Sequence, residues 1–269
     1  MRDANSLLAS GQGWAGRPGA GQGMNSVGET LARHLASFGE LPAADFAAVA
    51  ALKGEVRDLP RQTDILRNGD QPTHVVLVLS GLLHRYTIGP EGKRQIHSFY
   101  LPNEAPSLET LYIDYMDNNL GAVVPTRVGL ISHDQIYRII DERPEARKLL
   151  WRQTLVQAAI FRQWLVRNSN LPAHMALAHL FCEMFVRADA AGLVEDRRCS
   201  LPLTQEYVAD ALGLTAVHTN RTLQALRETG VVEWRSGQLT VYDWPKLREI
   251  ARFDPNYLHL RSTELAGRR

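Results

Sequence analysis

A run of about 24 residues without glycine or proline, Glu145 to Asn168, constrains the fold of this chain more than any other feature. Such a run is helical when its apolar residues follow a 3.6-residue period. Leu149, Leu150, Trp151, Leu155, Val156, Ala159, Ile160, Phe161, Trp164 and Leu165 do so, and they cover nearly the whole circumference. One stripe can pack on the rest of the chain, but a helix apolar on its other faces needs a second covering. The matching helix of a two-fold partner supplies one. Burial inside one large monomer is the other way to satisfy it.

Upstream, the pattern changes twice. From Gly28 to Leu52, the residues Leu31, Leu35, Phe38, Phe46, Val49 and Leu52 recur at helical spacings, divided by Pro42 into two short helices. From residue 55 to about 131, short β-prone runs alternate with turns. Asn68-Gly69-Asp70 and Ser80-Gly81 are turns, and His74 to Leu79 and Leu82 to Ile88 are strands. Gly89-Pro90-Glu91-Gly92 closes a hairpin onto Arg94 to Tyr100, and Ala122 to Val124 and Arg127 to Ile131 continue the series. Strands at this spacing predict a small sandwich or barrel. Downstream of the long helix, Pro172 to Arg187 reads as a further helix, and Arg197 to Leu203 as a linker or short strand.

The chemistry is concentrated in Leu203 to Gly230. Thr204 is an N-cap, and Leu203 with Val208 can form a hydrophobic staple across the helix start. The helix runs to Leu212 and stops at Gly213. Ala209 is small enough for a second helix to cross closely; Thr215 caps that helix, Leu223 and Leu226 face inward, and Gly230 ends it. Val231 to Arg235 and Gln238 to Tyr242, joined at Ser236-Gly237, then form a hairpin. A helix-turn-helix followed directly by a hairpin is a winged helix. The start of its second helix would meet base edges in a DNA major groove, presenting Ala216, Val217, His218, Asn220 and Arg221. An arginine pairs two-pronged with guanine and an asparagine with adenine, each discriminating by about 1–3 kcal/mol, and a valine can touch a thymine methyl. Thr204, Gln205, Thr215, His218 and the wing residue Arg235 are candidates for phosphate contacts. The plain alternatives are a solvated face for His218 and Asn220 and an intramolecular ion pair for Arg221.

Composition narrows the alternatives. With 30 Lys+Arg against 29 Asp+Glu the net charge is +1, so any DNA-binding surface is a local patch. Cys182 and Cys199 fit no zinc ligand set and cannot supply a cluster that takes four thiolates. They read as two reduced thiols, with a redox-sensing disulfide as the alternative. His174 and His179 share no helical face; His84 and His97, 13 residues apart without a His-x-His pair, do not resemble the metal set of a cupin enzyme. No metal, cofactor or catalytic residue is expected. Apolar runs such as Val75 to Leu79 are far shorter than the ~20 residues of a membrane span. The glycine-rich start, with Gly11, Gly13, Gly16, Gly19 and Gly21, reads as a disordered tail over 1–26 rather than a signal peptide, and Met24 is an alternative start. A cytoplasmic location is expected.

In its order of strand-rich domain, long helix and winged helix, the chain resembles the Crp/Fnr family of transcription regulators over roughly residues 30–260, most closely at Leu203 to Trp234. The turns at Asn68-Gly69-Asp70 and Leu79-Ser80-Gly81, with the hairpin at Gly92-Lys93-Arg94-Gln95-Ile96, look like the family's N-terminal domain. The resemblance implies an α+β chain in three parts: a cyclic-nucleotide-binding-like β jelly roll over 27–140, a long dimerisation helix over 141–169, and a winged helix-turn-helix over 170–269. It implies a homodimer on a palindromic double-stranded DNA site, Arg221 as the guanine-reading arginine, and RNA polymerase as a further candidate partner. Two departures matter. The family's recognition helix often carries a glutamate where this chain has Val217, and Thr219 stands where a buried Val or Ile is common. Cyclic-nucleotide binders also carry a Gly-Glu helix start and an Arg-Ser or Arg-Thr pair for the phosphate. Here Pro102 to Leu108, running on to Asn119, has no arginine between Glu104 and Pro125, and Asp114 and Asp117 would repel a phosphate. The effector is therefore unassigned, and cyclic AMP is not expected. A protein-interaction module with a degenerate DNA helix is the alternative function.

Overall fold

The computed structural model describes residues 26–261. The tail expected over 1–26 and the alternative start at Met24 lie outside them, save Ser26, which caps the first helix by accepting from the Glu29 N–H at 3.1 Å. Two short helices, α1 (Val27–Ala36) and α2 (Ala43–Ala50), precede seven strands. These are β1 (Glu55–Leu59), β2 (Asp64–Leu66), β3 (His74–Ser80), β4 (Leu83–Ile88), β5 (Arg94–Tyr100), β6 (Asn119–Ala122) and β7 (Thr126–Ser132). They form two antiparallel sheets, β1-β7-β3 and β2-β6-β4-β5. Val76, Val78, Leu83, Tyr100, Leu120, Val128 and Leu130 fill the space between them. This is the sandwich predicted from the turn spacing, with three refinements.

The strand expected at Ala122 to Val124 ends at Ala122, where the Val123 N–H turns to the Leu82 carbonyl at 2.9 Å. Strands β1 and β2 were not expected: four of the five β1 side chains are exposed, and β2, with Ile65 and Leu66, is only three residues long. Helix α3 (His133–Glu142) was also missed, although Ile136, Ile139 and Ile140 carry its buried stripe.

Helix α4 (Pro144–Asn170) is the long helix, extending the expected Glu145 to Asn168 by one residue at its start and two at its end. Pro144 starts it in the first turn, where its missing N–H costs nothing, and Leu171, held extended before Pro172, stops it. Ala146, Leu149, Leu150, Gln153, Val156, Ala159, Ile160 and Trp164 are buried against the chain itself. On other faces Trp151, Leu155, Leu165 and Val166 stay open, Leu155 at 64% and Leu165 at 71% exposure. The uncovered apolar surface expected for this helix is present.

Helix α5 (Ala173–Ala190) is buried along most of its length. Then follow β8 (Arg198–Ser200), α6 (Gln205–Leu212), α7 (Ala216–Glu228), β9 (Val232–Arg235), β10 (Gln238–Val241) and α8 (Trp244–Ala251), with the sheet ordered β8-β10-β9. One apolar core runs without a break from α1 through Phe99, Val156 and Trp164 to Phe181, Leu223 and Trp234. No helix among the described residues is long and apolar enough to cross a membrane.

Candidate nucleic-acid interface

The turn between α6 and α7 is built by its caps. The Thr204 hydroxyl accepts from the Tyr207 N–H at 3.4 Å and the Thr215 hydroxyl from the His218 N–H at 3.2 Å, each cap being worth about 1 kcal/mol. Gly213 sits in the left-handed region at φ +66°, so that the N–H groups of Gly213 and Leu214 both return to the Ala209 carbonyl. An L side chain is strained there, which is why glycine occupies the turn. Ala209 is buried at the crossing.

Helix α7 then divides cleanly. Thr219, Thr222, Leu223 and Leu226 are buried. The Thr219 hydroxyl donates to the Thr215 carbonyl at 3.0 Å, which satisfies the polar group a Val or Ile would not bring. Ala216, Val217, His218, Asn220 and Arg221 all lie exposed on the outer side. Val217 is 67% exposed, too open for a core role.

Arg221 forms neither a hydrogen bond nor an ion pair with any described residue, which removes the intramolecular ion pair as its explanation. Asn220 is held instead: its amide donates to Gln205 Oε1 at 3.3 Å, joining the start of α6 to the outer face of α7. Thr204 is half-buried and Gln205 and Thr215 exposed at the two helix starts, so their remaining polar atoms face outward together. Arg235 is exposed at the end of β9, beside the Ser236-Gly237 turn, where both residues have positive φ as a tight hairpin requires. The wing is fixed to α7 by Arg227, whose guanidinium donates to the Trp234 carbonyl at 2.8 Å, and to the linker by the Trp234 indole, which donates to the Leu201 carbonyl at 3.0 Å.

Two residues on this surface were missed in the sequence. Gln224 is exposed one turn beyond Asn220 and Arg221; the helical period alone could have found it. His174, at the start of α5, lines one open groove with Thr215, Val217, His218, Arg221 and Thr222. No local pattern links it to α7, 40 residues on.

The jelly roll holds an arginine that the sequence reading passed over. Arg85, on β4, is buried beside the stretch Ala105 to Glu109. Its guanidinium donates to the Tyr100 hydroxyl at 3.0 Å, to the Pro106 carbonyl, and to the Glu109 carboxylate. Burial disfavours the cation, but Tyr100 and Glu109 more than compensate and raise its pKa above the ordinary arginine value. Gln153 of α4 donates to the Ala105 carbonyl at 3.1 Å, tying the long helix to the same stretch. Both cysteines are buried and unpaired, and burial raises both thiol pKa values. Among the described residues no three of His, Cys, Asp and Glu converge as a metal site.

Comparison with known proteins agrees with this architecture. Residues 56–143 match the family described as cyclic nucleotide-binding domain, and residues 176–250 that described as Crp-like helix-turn-helix domain. The chain is 23% identical to the transcriptional activator protein FnrL of Cereibacter sphaeroides, over 86% of this chain and 94% of that one. It is 23% identical to the nitrogen fixation regulation protein FixK of Azorhizobium caulinodans, over 71% and 77%. The solved structure of FixK2 from Bradyrhizobium japonicum superposes with a TM-score of 0.65 at 19% identity, covering 74% of this chain and 98% of that one.

Proposed function

Because the chain belongs to the Crp/Fnr family of transcription regulators, with a helix-turn-helix DNA-binding domain, we propose that it reads a palindromic site as a homodimer. The recognition helix is α7, with Arg221 and Asn220 addressing base edges, Val217 and Ala216 making apolar contacts, and His218 at the edge of that surface. Thr204, Gln205, Thr215 and Arg235 hold phosphates and so fix the register. What carries this assignment is Arg221: a guanidinium on the outer face of a capped helix, with no partner among the described residues.

The dimer is formed through α4. Trp151, Leu155, Leu165 and Val166 are the apolar surface that a partner helix would cover, and Trp151 stacks on Tyr112 with 5.3 Å between rings, widening the patch. Two recognition helices would then lie one DNA turn, ~34 Å, apart. The parts follow as a jelly roll over 27–140, a dimer helix over 141–169 and a DNA-binding domain from 170. RNA polymerase is a candidate partner once the site lies near a promoter.

The jelly roll does not serve cyclic AMP in this reading. Arg85, the arginine nearest the stretch that takes phosphate in nucleotide binders, is already bonded to Tyr100, Pro106 and Glu109. Selection of bound duplexes from a random pool by the purified chain, with no ligand added, tests both halves. A palindrome should be enriched, and Arg221→Ala should lose the preference, by about 1–3 kcal/mol at the base it reads. Enrichment that survives Arg221→Ala would remove α7 as the reader, and no enrichment with or without cell extract would favour a protein-interaction module.

A further inference from the structure

Helix α6 is held by the jelly roll as well as by its own domain. At the end of the β4–β5 hairpin the Arg94 guanidinium lies 2.7 Å from Asp210 Oδ2 and 3.4 Å from Glu206 Oε1. The same guanidinium sits 4.4 Å above the Tyr207 ring, and the neighbouring Gln95 amide donates to the Asp210 backbone carbonyl at 2.9 Å. His84 of β4 meets Tyr207 edge-on, with 5.1 Å between rings. From the other side, Arg167 and Asn168 at the end of α4 donate to the Ala211 carbonyl at 3.2 and 2.9 Å, closing the C-terminal end of α6.

A second attachment lies deeper. Arg187 of α5 forks onto the Glu104 carboxylate of the jelly roll at 2.9 and 2.7 Å and onto Glu183 at 2.9 Å. Glu183 also accepts from the Trp164 indole at 2.9 Å and the Tyr257 hydroxyl at 2.8 Å. Glu183 and Arg187 are fully or nearly fully buried, so parting Arg187 from Glu104 would strand charge in the core. That fork is the costlier of the two attachments to part. Arg94 and Asp210, by contrast, are about one-fifth and one-quarter exposed, so water can replace each partner when they separate. The shared apolar core and the Asn103 amide, which donates to the Ala191 carbonyl at 3.3 Å, add to the deeper attachment; the hairpin is a jelly-roll contact on α6 itself.

We propose that the β4–β5 hairpin is a clasp in which Arg94 and Gln95 hold Asp210 of α6, so that the jelly roll sets the orientation of the recognition helix in its own chain. Among the described residues the groove beside α7 is lined by α7 and its cap Thr215, by the start of α5 and by Pro172 before it, and by no jelly-roll residue, so the clasped setting leaves the reading face open. The clasp therefore favours DNA binding, and a signal that moves the hairpin would act by releasing α6. This use of the clasp rests on α7 reading DNA; its existence does not.

The test uses the full chain labelled with spin probes at Glu91→Cys and Glu228→Cys, both exposed, and diluted into unlabelled chain so that each pair is read within one protomer. Cys182 and Cys199 are buried thiols and stay unlabelled. Without DNA, the distance distribution should be narrow, and should broaden or shift with Arg94→Gln and with Asp210→Asn, but no further in the double variant. An unchanged distribution in both single variants, with thermal midpoints near that of the parent, overturns the clasp. On the duplex selected by the parent chain, each single variant should bind roughly tenfold more weakly and the double variant no more weakly than either. Parent-like affinity despite a broadened distribution would overturn the role in setting the recognition helix. If the parent selects no duplex, the DNA reading fails while the distance measurement still decides the clasp.

Discussion

On the proposed reading of α7 as the recognition helix, Val217 sets much of what that helix can distinguish. It is two-thirds exposed at the second position of α7, where relatives in the family often carry glutamate. A carboxylate there accepts from a cytosine amino group, whereas valine can only touch a methyl or fill space. Val217→Glu should therefore leave folding unchanged and move the preferred base at one position of each half-site toward cytosine, by about 1–3 kcal/mol. Repeating the duplex selection with the variant checks it; an identical motif would mean that Val217 touches no base. Thr219, two residues on and on the buried face, teaches the opposite lesson. Its hydroxyl is spent on the Thr215 carbonyl, so the departure from a buried aliphatic residue has no functional reading. Arg85 shows what one segment of sequence cannot carry: Ala105 to Glu109 holds no arginine of its own, and the one that meets it comes from β4.

At the scale of the element, α4 carries the main association prediction. Its buried stripe packs on both domains, while Leu155 and Leu165 project from the outer faces with most of their surface in water. Burying a leucine contributes about 1.5–3 kcal/mol, so two per protomer, four per dimer, are a large share of an association energy. The double variant Leu155→Lys/Leu165→Lys should keep its helix content and unfolding midpoint but sediment as a monomer, and should bind the selected duplex far more weakly. A variant that still sediments as a dimer would place the interface elsewhere. The helix-turn-helix is the complementary case, since its caps, its Gly213 turn and its buried stripe are all local and all appear where the pattern placed them.

In the whole molecule, three imidazoles are enclosed in the core. Burial, helped by the Arg187 charge, lowers His34 to about 3. Burial and then Arg94 lower His84 to about 4, against the Gly121 carbonyl that its ring nitrogen meets at 2.9 Å. Burial lowers His179 to about 4 as well, between Glu183, which raises it, and Arg167, which lowers it. The folded chain keeps all three neutral, while the unfolded chain takes up protons near pH 6.5. Stability is thus full above about pH 6.5 and falls as the pH drops toward 4, because the unfolded state binds more protons in that window. Each histidine contributes a slope of about 1 kcal/mol per pH unit there. Urea midpoints should be level from about pH 8 to about pH 7 and drop steeply toward about pH 5. A flat profile would mean that these rings reach water.

The sequence by itself determined the long helix and the helix-turn-helix, whose signals are local. Periodicity over Glu145 to Asn168 dictated one long helix with more apolar surface than one chain covers, and the caps and glycine of 203–230 dictated the helix-turn-helix and its outward residues. These follow from backbone geometry and from spacing within one turn, so neighbours in the chain suffice. Tertiary structure alone decided what depends on distant partners. Strand β1, with four of its five side chains exposed, exists because β7 pairs with it, and the three-residue β2 is fixed by its pairing with β6. Among the described residues Arg221 is unpaired, Arg85 is sequestered, and Arg94 and Arg187 bridge the jelly roll to the C-terminal part, although all four are the same residue type in one chain. A guanidinium finds its role through a carboxylate or carbonyl that folding brings within about 3 Å, and sequence separation carries no information about that approach.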